Sequence, residues 1–109
     1  MALVGPLEID SGLTNAARMH STDMLAGGYF AHKDAAGRDP FWRIDKAHVD
    51  FMAAGENLAL APSIELAHTN LMNSPEHRSN ILSKDYGRVG IGILDAGKYG
   101  LMITQDFAD

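Results

Sequence analysis

The chain has 109 residues, of which 46% are hydrophobic and 21% are charged, and its formal net charge is −5. These values are typical of one globular domain, which we expect to span residues 1–109. A net negative charge without any run of lysine and arginine argues against a nucleic-acid binder. The longest stretch without a charged residue, 66–75, is far shorter than the roughly 20 residues of a membrane span, so we expect no span.

The absence of cysteine excludes disulfides, thiolate metal sites and thiol nucleophiles. It does not determine the compartment, since a cysteine-free protein tolerates both redox regimes. The first twelve residues lack the basic segment and the long apolar run of a signal peptide. Either a signal has been removed, or the protein stays inside the cell.

Apolar residues three and four positions apart predict a first helix over residues 11–26, with Asp10 or Ser11 at its N-cap. A loop over residues 29–38 follows it. Asp39 and the proline after it then predict the start of a short helix that runs to about residue 47.

Gly55-Glu56-Asn57 is predicted to interrupt the regular structure, and residues 58–60 to form a brief buried extended segment. Ser63 is the expected N-cap of a third helix. Ser74-Pro75 is expected to end that helix and to open a fourth one, which runs to Leu82.

The rest of the chain predicts a β-hairpin. Residues 89–93 alternate β-branched side chains with glycine, residues 95–100 form the turn, and residues 101–107 return. The glycines leave one strand face nearly bare, so another element must pack close against that backbone. The fold class is therefore α+β, with helices covering a small antiparallel sheet.

Several segments resemble, in chain order, the motifs of the CAP superfamily, which comprises cysteine-rich secretory proteins, antigen 5 and pathogenesis-related 1 proteins. The matching segments are Ala16-Ala17-Arg18-Met19-His20-Ser21, Tyr29-Phe30-Ala31-His32, Gly55-Glu56-Asn57-Leu58-Ala59, Met72 to Leu82, Val89-Gly90-Ile91-Gly92 and Thr104-Gln105-Asp106-Phe107. Together they cover most of the chain, and the version around residue 77 resembles the cysteine-free, SCP-like domains of bacteria.

The resemblance implies an α-β-α sandwich that here lacks the family's first helix. It also implies a protein that is secreted or held in the cell envelope. Family activities include sterol or lipid binding, peptidase action and cell-wall association. The segment around Gly5-Pro6-Leu7 normally follows the first helix. Without that helix, the surface it covers in the family is covered by a second copy, is remodelled by the N-terminal segment, or is not apolar in this branch; the apolar residues Val4, Leu7 and Ile9 favour a homodimer.

The resemblance places two cleft histidines at His32 and His77 and one cleft glutamate at Glu56. The family's second cleft glutamate falls at about Ser74, so that carboxylate is absent, and His48 stands where glycine is common. His77 is also expected in the first turn of a helix, which disfavours a positive charge and so favours a neutral imidazole.

Each of these residues also has a purely structural interpretation. His32 can be a loop histidine bonded to a carbonyl, His77 can cap its helix, and Glu56 can bind backbone amides. The apolar helix positions of His20 and His68 predict ordinary core histidines.

Two functional hypotheses follow. The first is a binding or interaction module for a divalent metal, most simply Zn²⁺, or for a small ligand, a lipid or a cell-envelope component. The second is a metal-assisted hydrolase with His32 and His77 as ligands and Glu56 as a third ligand or as the catalytic base. The missing second carboxylate favours the binding module.

Overall fold

The computed structural model describes residues 6–109 and confirms the α+β class. Its elements, in chain order, are β1 (Glu8–Ile9), α1 (Ser11–Gly27), α2 (Pro40–Lys46), β2 (Ala54–Ala61), α3 (Ile64–Asn73), α4 (Pro75–Leu82), β3 (Arg88–Asp95) and β4 (Leu101–Ala108). A 3₁₀ turn, Gly97–Tyr99, joins the last two strands. Within the described residues, no helix is both long enough and apolar enough to cross a bilayer.

The four strands form one sheet in the order β1-β3-β4-β2. The pair β3–β4 is an antiparallel hairpin, as predicted. The strand β2 also pairs antiparallel with β4, along its full length from Ala54 to Ala61. The short strand β1, which the sequence did not predict, pairs in parallel with β3 through Glu8 and Ile9. The sheet is therefore mixed, and β2 is its outer strand on one side.

Helix α1 packs on one face of the sheet, directly over two glycines of β3. A Cβ atom at Gly90 would overlap the backbone of Leu13, and one at Gly92 would lie 2.5 Å from the backbone of Ala17. The glycines were predicted to leave a strand face bare so that another element packs close against it, and α1 is that element.

The opposite face of the sheet carries α3 and α4. Ala59 and Ala61 of β2 contact Ala67 and Leu71 of α3 in a small apolar cluster. Helices on both faces of one sheet make the α-β-α sandwich that the resemblance implied.

Local capping chemistry starts three helices where the sequence predicted. The side chain of Asp10 accepts a hydrogen bond from the backbone of Leu13, and Ser63 and Asp39 make the equivalent bonds in α3 and α2. Ser74 makes no such bond in α4, because its hydroxyl contacts the ring of His77 instead.

The predicted interruption at Gly55-Glu56-Asn57 is wrong, since these residues lie inside β2. Long-range contacts hold this polar segment extended. Gly55 packs against the Tyr86 hydroxyl, at 2.5 Å from where a Cβ would stand, while Glu56 and Asn57 are buried.

Three further sequence expectations concern individual residues. His20 is buried, as predicted, whereas His68 is exposed and is not a core histidine. His48 has a φ of 62°, the left-handed region that favours glycine, which gives a physical reason for the glycine usual at that position. Of the residues in the predicted dimer interface, Ile9 is 84% exposed and Val4 lies outside the described residues, so the dimer stays a prediction.

Candidate functional site

The centre of the site is Glu56, whose side chain is only 1% exposed. Its Oε1 atom lies 2.8 Å from Nδ1 of His32. The Nη2 group of Arg43 donates to both carboxylate oxygens at 3.0 Å. Because the carboxylate has lost its water, these partners are what stabilise its charge.

Asp106 of β4 is paired with Glu56 of β2, and the two side chains lie on the same face of the sheet. Burial, together with the neighbouring Glu56, raises the pKa of Asp106 to about 10, so this side chain is protonated at neutral pH. Burial would also raise the pKa of Glu56, but the hydrogen bond with His32, the nearby carboxyl group of Asp106 and the charge of Arg43 outweigh it and hold that pKa below its usual value. One buried carboxylate thus keeps its charge and the other does not.

The loop that carries His32 is held from two sides. Nε2 of His20 contacts the carbonyl of Ala31 at 2.7 Å, and Nη2 of Arg43 donates to the carbonyl of His32 at 2.7 Å. Burial lowers the pKa of His20 against the opposing effect of Glu56, so His20 is neutral and acts through its N–H group. His20 and Arg43 therefore position the loop.

His77 is held by different partners. Its Nδ1 atom lies 2.8 Å from the Ser74 hydroxyl, so position 74 supplies a hydroxyl where the family pattern has a carboxylate. The carbonyl of His77 accepts from Nδ2 of Asn57 at 3.0 Å, and Asn80 donates to Oδ1 of Asn57 at 2.8 Å. These amide contacts attach the start of α4 to β2.

Of the three residues predicted to share a site, His32 and Glu56 contact each other on the α1 face of the sheet, whereas His77 pairs with Ser74 on the opposite face. Both histidines nevertheless contact neighbouring residues of β2: the ring of His32 bonds to Glu56, and the backbone carbonyl of His77 accepts from Asn57. In residues 6–109, no group of three His, Asp or Glu side chains is arranged to hold one metal ion.

A groove of about 320 Å³ follows the free edge of β2; the His77–Ser74 pair lines it, whereas His32 and Glu56 do not. His77, Ser74 and Leu71 line one side of it, and Phe30, two residues before His32, lines the other. The His32 side chain is 51% exposed, so its ring is accessible from solvent. Since Nδ1 of each ring already has a partner, Nε2 is the atom that each histidine can offer to a ligand.

Arg43 and Asp106 were not predicted from the sequence to belong to the site. A signal for Asp106 was present, because it alternates along β4 with the buried residues Met102 and Thr104. A carboxyl group on the core face of a strand must be paired or protonated, and so points to a buried polar network. Arg43 offered no comparable signal, because its helix has only seven residues.

Comparison with known proteins places this arrangement in a family. The sequence model of the cysteine-rich secretory protein family, CAP, matches residues 2–107. The uncharacterized protein YkwD of Bacillus subtilis is 34% identical over 103 residues, and the uncharacterized membrane protein YlbC of the same organism is 35% identical over 91 residues. The chain spans 39% and 25% of the lengths of these two relatives.

Solved structures agree with this assignment. An extracellular protein of Bacillus anthracis that contains an SCP domain superposes with a TM-score of 0.85 and 30% identity, over 96% of this chain and 34% of that one. An outer surface protein of Borrelia burgdorferi has the same fold, with a TM-score of 0.89 and 23% identity over 97% of this chain and 79% of that one. The chain belongs to the cysteine-rich secretory protein (CAP) family, although it contains no cysteine itself.

Proposed function

We propose that this domain is a binding module in which Nε2 of His32 and Nε2 of His77 hold a divalent cation or a small polar ligand at the edge of β2. The observation that supports the proposal is that an oxygen atom holds Nδ1 of each ring, Glu56 for one and Ser74 for the other. Metal-ligating histidines typically donate their second ring N–H group to such a partner, which orients the ring.

The donor set decides which ligand fits. Imidazole nitrogen suits Zn²⁺ and related transition metals. A catalytic zinc site usually has three protein ligands, and two imidazoles are fewer than that. We therefore expect a reversible site of modest affinity, completed by water or by the bound ligand, rather than a permanent zinc centre.

The alternative function, a metal-assisted hydrolase with Glu56 as base or ligand, has less support. The side chain of Glu56 is almost wholly inaccessible to solvent, and both of its oxygens accept from Arg43. A general base needs an oxygen within hydrogen-bond reach of the reacting water. We therefore assign Glu56 to positioning His32.

The names of the similar structures suggest where the domain acts. The Bacillus anthracis protein is described as extracellular and the Borrelia protein as an outer surface protein. We propose that this domain likewise acts outside the cytoplasm or in the cell envelope, and that its ligand is present there.

Calorimetric titration with Zn²⁺ at pH 7.5 tests the proposed function. His32→Ala and His77→Ala should each weaken binding by about 10-fold or more, since each removes one of two nitrogen ligands. His68→Ala is the matched control, because His68 is exposed on α3 and should leave affinity unchanged. Binding should also weaken at pH 5, since protons then compete for imidazole nitrogens.

Two results would contradict the proposal. Equal affinity at both pH values would mean that surface carboxylates hold the ion. Normal Zn²⁺ binding by both single variants would mean that His32 and His77 are not its ligands.

A further inference from the structure

Alternate residues of β2 point their backbone N–H and C=O groups away from the sheet, at its free edge. β2 is an outer strand of the sheet. Just before β2, the carbonyl of Ala53 accepts a hydrogen bond from the amide of Asp109, which follows β4, so the backbone groups of the odd-numbered residue 53 point toward β4. Because antiparallel pairing alternates, the odd-numbered residues of β2 bond to β4 and the even-numbered ones point their N–H and C=O groups away from the sheet. The even-numbered residues Glu56, Leu58 and Leu60 thus present the free edge.

Only the beginning of this edge is covered. The carbonyl of Glu56 accepts from Nδ2 of Asn80, which comes from α4. Within residues 6–109, the outward N–H and C=O groups of Leu58 and Leu60 have no hydrogen-bonding partner. Proteins usually protect an open edge by a covering element or a charge. Leu58 is only 7% exposed, because it packs with Met24 and Met102, whereas Leu60 is 39% exposed, so the edge opens to solvent at Leu60.

The open edge lies between two apolar grooves. On the α3 side, the groove of about 320 Å³ contains the edge residues themselves together with His77. On the α1 side, a groove of about 370 Å³ is lined by Met24, Tyr29 and Met102. Phe30 and Leu60 line both, so the two grooves meet at the edge, and neither has an Asp, Glu, Lys or Arg in its lining.

We propose that this edge binds an extended peptide segment, which adds to the sheet as a further strand beside Leu58 and Leu60. Only a ligand with alternating N–H and C=O groups satisfies both kinds of unpaired backbone group; a lipid chain would fill the grooves but leave those groups without partners. Side chains of an added strand alternate between the two faces of the sheet, and here each face offers an apolar groove.

The same geometry describes the ligand. The stretch from Leu58 to Ala61, which lines the groove on the α3 side, is about 13 Å long at roughly 3.3 Å per residue, so about four peptide residues fit along it. The absence of charged side chains from both groove linings favours apolar or neutral side chains in the peptide. The inference does not depend on a metal ion, because it rests on backbone groups and apolar surface.

The test uses an acetylated and amidated hexapeptide of alternating leucine and threonine, titrated into ¹⁵N-labelled protein in excess EDTA. The backbone amide signals of Leu58 and Leu60 should shift most, and their hydrogen exchange should slow on binding. Two versions N-methylated at alternate residues are the matched controls. Only the version whose methyl groups face β2 should lose binding, since it alone loses the donors that pair with the strand.

A protein variant examines the same contact from the other side. Leu60→Pro removes the outward N–H group without removing a bond to β4, whereas Leu60→Ala keeps that group and also shortens the side chain. Leu60→Pro should weaken peptide binding by about 10-fold relative to Leu60→Ala. If Leu60→Pro does not fold, the methylated peptides decide the question.

The proposal is overturned if the parent peptide does not bind at several millimolar, if both methylated versions behave alike, or if the shifted amides lie elsewhere. Because EDTA is present, these outcomes are independent of Zn²⁺ binding. A protein that binds the peptide but not Zn²⁺ would disprove the proposed function and leave this inference standing.

Discussion

At pH 7, Arg43→Ala should lower the free energy of unfolding by about 3–5 kcal/mol, as measured by urea denaturation. The variant leaves the buried carboxylate of Glu56 without the guanidinium that donates to both of its oxygens. It also frees the carbonyl of His32, which Arg43 holds at 2.7 Å. A buried charge without its partner is among the few changes that destabilise a small domain this much.

Two comparisons make this result specific. Arg38→Ala removes an ion pair with Asp34 in which the Arg38 side chain is 46% exposed, and it should cost much less than Arg43→Ala. Adding Glu56→Gln to Arg43→Ala should restore part of the lost stability, because the unpaired charge is then gone. Equal losses for Arg38→Ala and Arg43→Ala would show that the buried pair contributes nothing special.

The second large effect is a gain in stability. Asp106→Asn should be more stable than the parent by about 2–4 kcal/mol at pH 8, and the difference should vanish near pH 4. The pKa of Asp106 is raised to about 10 by burial, so the folded state keeps a proton that the unfolded state releases above about pH 4. Between these values, rising pH therefore favours the unfolded parent, and asparagine removes that dependence.

Urea denaturation at several pH values measures this difference. Asp85→Asn, at an exposed position before β3, is the matched control and should change stability little at any pH. If Asp106→Asn instead destabilises the protein throughout the pH range, Asp106 is ionised and paired in the folded state, contrary to the charge distribution described here.

The helix starts were predictable from sequence because their causes are local. Asp10, Asp39 and Ser63 each bond an amide within three residues, and such short-range chemistry is visible in the residue pattern. The hairpin was predictable for a similar reason, since alternating side chains mark the strand.

The extent of β2 was not predictable, because its polar start is held by residues that are distant in sequence. Glu56 bonds to Arg43 and His32, and Asn57 bonds to the start of α4. His32 and His77 were identified through the resemblance, since nothing in their spacing indicates a shared site. Their separate partners, Glu56 and Ser74, emerge only when the sheet brings the segments together.

The most direct test of the proposed ligand site is the state of the histidine rings, observed by ¹H–¹⁵N correlation spectra of the side chains near pH 7.5. We predict that His32 and His77 carry their proton on Nδ1 and that Zn²⁺ shifts their Nε2 signals. His20 should carry its proton on Nε2, which faces the carbonyl of Ala31, and should not respond to Zn²⁺. A proton on Nε2 of His32, or Zn²⁺ shifts confined to His48 and His68, would contradict the account.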